Sequence, residues 1–517
     1  MEFIKKNKDN IILGFILVLG FLVRLLSINI YPGGLNVDEA SAGYDAYSIL
    51  NYGIDRNGNF LPVFLVAWGS GQNALYTYIS IPFIKIFGLN VFSIRLPMAI
   101  IGCISLIIMY KLLYKIWDKK VALMGTAFLV ICPWHIMKSR WGLESNIFPD
   151  IILLAVLVLI CGIKNNKKGY MYLSFVIFGI SAYAYGTSYF FLPIFLIPLL
   201  IYLIKKREIN IKQAFISIGI VFIVSLPIIL CVLINKFDLP QINLPFCTIP
   251  RLQENRFEQL SSIFSGNIIE NSLKNFIQSV TMLVIQNDNL PWNAMKNYGI
   301  IYLFSTIFTI IGIIKSFRNK DVYNWTINIW FIASFLLLFV CEPNINRCNI
   351  IILPIIYYTI IGIYEVIKNV KYAGRFLSII YVIEFILFIN SYINTDYSKY
   401  STFQDNIQEV IEYAETLNVD NIYMKYSFKE PYIYILFYSK ENPHNFIDTV
   451  EYFRKDQNGF DNVKSFGKYR FYLPDNIEEN KNSAYIVPVD EEFNIDINKF
   501  KITNFKEFKV LEKIGED

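Results

Sequence analysis

Two adjacent carboxylates, Asp38 and Glu39, lie in the stretch YPGGLNVDEASAGYDAYSILNYG, between a Pro-Gly-Gly turn and a helix-like segment. A partly desolvated carboxylate has a raised pKa and can take a proton from a hydroxyl group. The alternative is a helix cap, because Asp is common just before a helix. The pair is therefore a candidate general base, with capping as the open alternative.

Basic side chains occur in short polar turns between long apolar runs. The turn CPWHIMKSRWGLESN holds His135, Lys138, Arg140 and Glu144, and the turn CEPNINRCNIIILP holds Arg347. Arg forms bidentate hydrogen bonds to phosphate, and Lys or His adds positive charge. These turns are candidates for an anion site; the alternative is that they carry only the charges a solvated turn needs.

Two further segments are candidates for substrate contact. The turn AYAYGTSYFFLP holds Tyr185 and Tyr189, although Tyr is also enriched at membrane interfaces. The segment PRLQENRFEQ holds Arg251, for which a solvated loop is the alternative.

Composition determines the class of protein to which these residues belong. Of the 517 residues, 55% are hydrophobic and only 17% are charged, and the mean hydropathy is +0.42. A soluble globular chain has about 25% charged residues, so a soluble multidomain enzyme is excluded. A net charge of +5 gives no sign of a nucleic-acid partner. Two histidines and no CxxC motif predict no metal site, although carboxylates could still bind a divalent cation.

The apolar runs predict a polytopic membrane protein. A membrane helix needs roughly 20 apolar residues, and eleven runs qualify or nearly do: 10–30, 94–115, 120–137, 147–163, 170–186, 188–204, 213–234, 298–316, 324–341, 350–368 and 374–393. A shorter run at 74–88 contains Pro82 and Lys85, and we interpret it as a helix at the membrane interface, with a twelfth span as the alternative.

The distribution of Lys and Arg predicts the orientation. With eleven spans and a cytoplasmic N-terminus, 20 of the 47 basic residues fall in six short cytoplasmic segments, as the positive-inside rule requires. A twelfth span at 74–88 would put the later basic turns outside, so we reject it. The first run lacks a small-residue cleavage site and is expected to stay as a signal anchor in a plasma membrane.

These patterns predict two domains. Residues 1–393 form an α-helical polytopic membrane domain with about eleven transmembrane helices and long outer loops at 31–93 and 235–297. Residues 394–517 contain a helix-like stretch (FQDNIQEVIEYAETL) and strand-like stretches (NIYMKY, YIYILFY, YRFYL and AYIVPV). They predict a small α/β domain, which lies outside the cell because eleven is an odd number of spans.

The same topology places the candidate residues of four loops on one membrane face, namely Asp38, Glu39, Arg140, Glu144, Tyr185 and Arg347. A carboxylate base beside cationic phosphate-binding groups suits transfer from a lipid phosphate.

Four segments carry a family resemblance: VDEASAGYDAYSILNYGIDRNG, LYTYISIPFIKIFGLNVFSIRLP, PWHIMKSRWGLESN and the NINR turn. They resemble the GT-C superfamily of glycosyltransferases, in particular the branch with the polyprenyl-phosphate-mannose protein mannosyltransferases and the lipid A aminoarabinose transferases. The resemblance covers about residues 10–390. It implies that Asp38 is the general base with Glu39 as its helper, and that Arg140 and Arg347 hold the leaving phosphate.

The predicted function is transfer of a sugar from a polyprenyl-phosphate donor to a lipid, glycan or protein acceptor on the outer membrane face, with inversion. Two alternatives stay open. A transporter or flippase of lipid-linked sugars would use charged or broken helices at mid-membrane. A polymerase or ligase of surface polysaccharide would use Arg and His in outer loops without the acidic pair.

Overall fold

The computed structural model describes residues 2–68, 70–252, 267–400, 402–454, 461–478, 482–492 and 496–514. The helices, in chain order, are α1 Glu2–Leu25, α2 Val37–Tyr52, α3 Leu75–Phe87, α4 Val91–Ile116, α5 Lys119–Ile131, α6 Pro133–Ser139, α7 Glu144–Lys164, α8 Lys168–Ile180, α9 Ser188–Lys205, α10 Ile211–Lys236, α11 Ile268–Ile285, α12 Thr306–Arg318, α13 Val322–Leu337, α14 Ile345–Cys348, α15 Ile352–Asn369, α16 Ala373–Ile393, α17 Ile407–Glu415, α18 Pro431–Ser439 and α19 Pro443–Thr449.

The strands are short and lie mostly in the last quarter of the chain. They are β1 Leu35–Asn36, β2 Phe64–Ala67, β3 Ser70–Asn73, β4 Ile242–Leu244, β5 Cys247–Ile249, β6 Phe403–Gln404, β7 Asn421–Met424, β8 Glu451–Tyr452, β9 Val463–Phe466, β10 Tyr469–Arg470, β11 Ser483–Pro488, β12 Phe500–Asn504 and β13 Phe508–Lys513.

The chain divides into two compact units. The first consists of Met1–Ile28, Met98–Val232 and Asn255–Asn394, and the second consists of Asn29–Pro97, Leu233–Glu254 and Thr395–Asp517. The first unit holds most of the long apolar helices. The second contains Thr395–Asp517, which we call the tail, together with the segment that carries the acidic pair and a β4–β5 hairpin.

Each of the eleven predicted apolar runs is helical over much of its length. Among the described residues, six helices are long and apolar enough to cross a membrane, or seven if α5 and α6 are one span bent by 62°. Helices α8 and α12 have 13 residues each, which is about 20 Å at 1.5 Å per residue and short of a bilayer core of roughly 30 Å. A polytopic helical protein is thus confirmed, whereas the number eleven stays a prediction.

Helix α3 corresponds to the run at 74–88. It has 13 residues with Pro82 inside it, and Ile86 and Phe87 near its end are exposed. A helix of this length is too short to cross a bilayer. Its predicted position at the interface is compatible with that length.

Glycines determine how closely two helices of the first unit approach each other. A Cβ atom at Gly312 in α12 would overlap the carbonyl oxygen of Tyr358, and one at Gly362 in α15 would overlap the carbonyl oxygen of Phe308. Small residues at such contacts let helix backbones come together in a membrane. Packing between α12 and α15 therefore requires glycine at both positions.

The tail contains a seven-stranded mixed sheet in the order β12-β13-β11-β7-β10-β9-β8. The central strand β7 is parallel to both β11 and β10, whereas β11–β13 and β12–β13 are antiparallel. Tyr423, Tyr485 and Leu511 belong to the apolar cluster on this sheet. A C-terminal sheet domain is therefore present, with strands over NIYMKY and AYIVPV as predicted.

The strand predicted over YIYILFY is wrong, because these residues form helix α18. Pro431 stands in its first turn, where proline loses no hydrogen bond and its φ angle suits a helix. Every side chain from Tyr432 to Phe437 is buried. A segment buried on all sides shows no alternation, so periodicity cannot distinguish a strand from a helix there.

The segment 235–297, predicted as a solvated outer loop, contains more structure than expected. Helix α11 has 18 residues, and Asn275, Ser279 and Met282 are its buried side chains. One helix face is thus covered while apolar residues such as Ile269 are exposed.

Candidate functional site

The acidic pair lies in the first turn of α2, in the second unit. Asn36 is the N-cap residue: its Oδ1 accepts a hydrogen bond from the Asp38 amide at 2.9 Å. The Glu39 carboxylate accepts one from the Asn36 amide at 3.1 Å, which completes a capping box. The capping alternative for Asp38 is therefore wrong, because Asn36 occupies the cap position and Asp38 is the second helical residue.

Glu39 is held by an arginine that the sequence analysis did not single out. Both side chains are fully buried, and Arg95 donates from Nε to one carboxylate oxygen and from Nη2 to the other, at 2.8 Å each. Arg95 also donates to the carbonyl oxygens of Pro32 at 2.8 Å and Gly34 at 2.7 Å. A buried charge requires such a partner. The only sequence signal for it was an arginine at the start of an apolar run, in FSIRLP.

These contacts separate the roles of the two carboxylates. Both Glu39 oxygens accept hydrogen bonds from Arg95 and one also from the Asn36 amide, so the geometry favours an anchoring role over the predicted catalytic one. Asp38 is only partly buried. It lies in the first turn of a helix, where the helix dipole favours a negative charge.

A second buried carboxylate network lies further along the same segment and was also missed. Asp45 forms a bidentate ion pair with Arg56, at 2.7 Å and 3.1 Å. Asp55 accepts hydrogen bonds from the amides of Asn57 and Asn59. Burial, and then the charge of Asp45, raise the pKa of Asp55 to about 7. These contacts organise the turn that follows α2.

The first unit places His135 and Lys138 in buried polar contacts. The His135 Nδ1 atom lies 2.7 Å from Nη2 of Arg24, and its Nε2 atom lies 2.8 Å from the Ser105 hydroxyl. Lys138 forms a buried ion pair with Asp150. The polar atoms of both residues are thus used inside the helix bundle, which favours a structural role over the predicted contact with phosphate.

Arg140 closes the end of α1. Its side chain is buried and donates from Nη1 to the carbonyl oxygen of Val23 at 2.7 Å. Its Nη2 donates to the carbonyl oxygens of Leu26 at 2.8 Å and Ser27 at 3.1 Å. The last carbonyl groups of a helix lack partners within it. Arg140 supplies them, so the geometry favours a capping role over phosphate binding.

Three other predicted residues come together in the first unit. The Tyr185 phenol interacts electrostatically with both Arg347 and Glu144. Arg347 is 25% exposed and donates from Nη1 to a carboxylate oxygen of Glu342 at 2.6 Å. We call Glu144, Tyr185 and Arg347 the Arg347 cluster. It combines a partly exposed cation with a phenol and a carboxylate.

Asp288 fixes the turn that carries Arg347. Its carboxylate accepts hydrogen bonds from the Ile345 amide at 3.0 Å and from the Asn293 side chain at 2.7 Å. Asn346 donates in turn to the Asn293 side chain at 2.7 Å. Burial raises the pKa of Asp288. Its place in the long segment 235–297 gave no sign of this role.

The two remaining candidates lie elsewhere. Tyr189 is half-buried in the first turn of α9. Arg251 is 49% exposed in the second unit and pairs with Asp238 at 3.3 Å, as expected for the solvated-loop alternative. From residue 253 the segment PRLQENRFEQ lies outside the described residues. Within the described ranges, no three His, Cys, Asp or Glu side chains form a group that could hold a metal ion.

Comparison with known proteins agrees with the predicted resemblance. Residues 74–234, less than half of the chain, match the family model described as dolichyl-phosphate-mannose-protein mannosyltransferase. A search of curated protein sequences found no match to this chain.

Solved structures share the fold at low sequence identity. ArnT from Cupriavidus metallidurans bound to undecaprenyl phosphate matches with a TM-score of 0.56 and 8% identity, over 97% of this chain and 98% of that one. The apo oligosaccharyltransferase of Archaeoglobus fulgidus matches with a TM-score of 0.53 and 12% identity, over 85% of this chain. The chain spans 64% of the length of that archaeal protein. The resemblance to GT-C glycosyltransferases is thus confirmed at the level of fold.

Proposed function

We propose that this protein is an inverting glycosyltransferase that moves a sugar from a polyprenyl phosphate to an acceptor on the outer face of the plasma membrane. The matched family is described by a dolichyl-phosphate-mannose donor and a protein acceptor. ArnT was solved bound to undecaprenyl phosphate. AglB, the oligosaccharyltransferase of Archaeoglobus fulgidus, was solved in complex with a dolichol phosphate and an inhibitory peptide. These ligands support a lipid-phosphate donor and leave the acceptor as a lipid, a glycan or a protein.

The observation that carries the proposal is the preorganised first turn of α2. Arg95 and Asn36 bind Glu39, and the neighbouring Asp38 stays partly exposed. A catalytic group needs a rigid support and access to substrate at once. Asp38 combines the two, which supports its assignment as the general base.

The chemistry assigned to Asp38 is proton removal from the acceptor. As an acceptor oxygen or nitrogen bonds to the anomeric carbon, its proton passes to the Asp38 carboxylate. The bond between the anomeric carbon and the phosphate oxygen breaks, and its electron pair leaves with the polyprenyl phosphate. Attack from the face opposite the leaving phosphate inverts the anomeric centre.

Arg347 is proposed to bind the donor phosphate. Of the predicted cations in the first unit, its guanidinium is partly exposed, whereas Lys138 and Arg140 are buried. Arginine suits bidentate recognition of phosphate. Tyr185 and Glu144 complete the Arg347 cluster as proposed substrate contacts. The sequence leaves the involvement of a divalent cation open, and the effect of a chelator on transfer tests it directly.

The experiment is transfer by purified protein in lipid nanodiscs. Donors are synthetic polyprenyl phosphates carrying different sugars, and acceptors are lipids, glycans and peptides, with products identified by mass spectrometry. We expect transfer from at least one lipid-phosphate donor and none from sugar nucleotides. Transfer from sugar nucleotides only, or lipid-linked sugar movement across a vesicle bilayer without any transfer, would refute the proposal. Surface glycans from cells with and without the gene identify the natural product.

A further inference from the structure

One backbone oxygen of the tail supports the start of α2. Strand β6 pairs antiparallel with β1, with Leu35 opposite Gln404 and Asn36 opposite Phe403. The Thr402 carbonyl oxygen accepts hydrogen bonds from the Val37 amide at 3.0 Å and from the Asn36 side chain at 3.1 Å. The first amides of a helix have no partners within it. The tail supplies an acceptor at the helix start that carries Asp38.

A tyrosine of the tail reinforces this contact. Tyr434, in α18, is fully buried, and its hydroxyl lies 3.3 Å from the Leu35 carbonyl oxygen and 3.4 Å from the Thr402 carbonyl oxygen. Burial, and then neighbouring acidic groups that include Asp38 and Glu39, raise the pKa of this phenol, so it keeps its proton and can donate it to a carbonyl oxygen. One hydroxyl group thus lies within reach of strand β1 and of the residue that precedes β6.

The two helices fit together closely enough to fix this arrangement. Helices α18 and α2 pack against each other. A Cβ atom at Gly43 would lie only 2.6 Å from Cε2 of Phe437. Tyr44 donates from its hydroxyl to the Glu441 carbonyl oxygen at 2.9 Å. The tail therefore contacts α2 along more than one turn and cannot shift without moving it.

From these contacts we infer that Tyr434 is a positioning residue for Asp38, and that the tail is a working part of the catalytic apparatus. The inference rests on the proposed function, because it assigns the tail a role through the proposed base. Displacement of a reacting group by about 1 Å can cost about 100-fold in rate. The first turn of α2 is held by tail residues almost 400 positions away in the chain, so the position of Asp38 depends on the tail.

The first test is a double-mutant cycle. Tyr434→Phe removes the hydroxyl and keeps the ring; we expect kcat to fall about two- to tenfold, as for loss of one neutral hydrogen bond, with donor KM unchanged. In the Asp38→Asn background the same substitution should leave the residual rate unchanged, because Tyr434 acts through Asp38. An equal fall in both backgrounds would overturn the inference, since it would indicate a general effect on folding.

Tyr423→Phe is the matched control. Tyr423 lies in β7 and stacks on Tyr485 in the tail core, so its replacement removes a tail hydroxyl away from Asp38. We expect wild-type kcat and a thermal stability close to that of Tyr434→Phe. The same kcat in both variants would contradict a positioning role for Tyr434.

A cross-link separates this inference from the proposed function. Directly paired residues on antiparallel strands have Cα atoms about 4.5–5.5 Å apart, within the range of a disulfide. Leu35→Cys with Gln404→Cys should therefore form a disulfide and retain transfer activity. A missing disulfide, or one that abolishes activity reversibly on reduction, would overturn the inference. A full-rate Asp38→Asn enzyme would instead refute the proposed base and leave the contact between tail and loop intact.

Discussion

Replacement of Asp38 by Asn distinguishes a catalytic role of this residue from a structural one. Asn keeps the size of the side chain but cannot accept the proton, and general-base catalysis contributes about 10²–10⁴-fold in rate. The helix cap belongs to Asn36 and the salt bridge to Arg95 belongs to Glu39, so the substitution leaves both in place. Loss of a negative charge in the first turn costs about 0.3–1 kcal/mol of helix stability. We expect normal expression and a fall in kcat of at least about 100-fold.

The assay measures single-turnover transfer and donor binding on the same nanodisc sample, with thermal unfolding as the measure of stability. Donor affinity should be nearly unchanged in Asp38→Asn. A variant with near-full kcat would refute the assignment of Asp38 as the base.

Glu39→Gln is the structural comparison for this experiment. It breaks a buried, bidentate ion pair with Arg95, and removal of one partner from a buried pair typically costs about 3–5 kcal/mol. We expect poor expression or a strongly lowered unfolding temperature instead of a folded, slow enzyme. A stable Glu39→Gln protein with a large loss of kcat would mean that the catalytic carboxylate is Glu39.

Further expectations concern the phosphate site, the helix cap, pH and topology. Arg347→Ala should weaken donor binding or kcat by about 1.5–3 kcal/mol without changing acceptor KM; a change in acceptor KM alone would contradict the phosphate assignment. Arg140→Ala should lower thermal stability, because the end of α1 loses its donors, while donor KM stays unchanged; a selective rise in donor KM would restore the phosphate role. The raised pKa of Asp55 means that the folded state holds its proton more tightly than the unfolded state. Its contribution to stability is therefore complete below about pH 4 and is lost as pH rises through about 7, and Asp55→Asn should flatten that part of the pH–stability curve. A cysteine at exposed Asn418 should react with an impermeant reagent in intact cells, and labelling only after permeabilisation would reverse the topology.

Local patterns were sufficient for the class of protein and for several elements. Apolar runs of membrane length predict helices because a helix satisfies its own backbone within the bilayer. Each of the eleven runs is helical over much of its length in the structure. Strands β7 and β11 were predictable as well, from short runs of β-branched and aromatic residues. The acidic pair and its position at a helix start also followed from the sequence, as did the resemblance to GT-C glycosyltransferases.

Tertiary structure alone decided which charges pair. Glu39 and Arg95 are 56 positions apart, and Arg140 reaches the end of a helix more than 110 positions earlier. Each buried charge requires a partner, but a sequence with 47 basic and 42 acidic residues offers many chemically equivalent choices. The physical reason is that charged side chains lose their water only in the folded protein. The packing of distant segments determines which of these side chains are buried next to each other. The same holds for the tail, whose contact with the start of α2 depends on pairing between strands of two residues each.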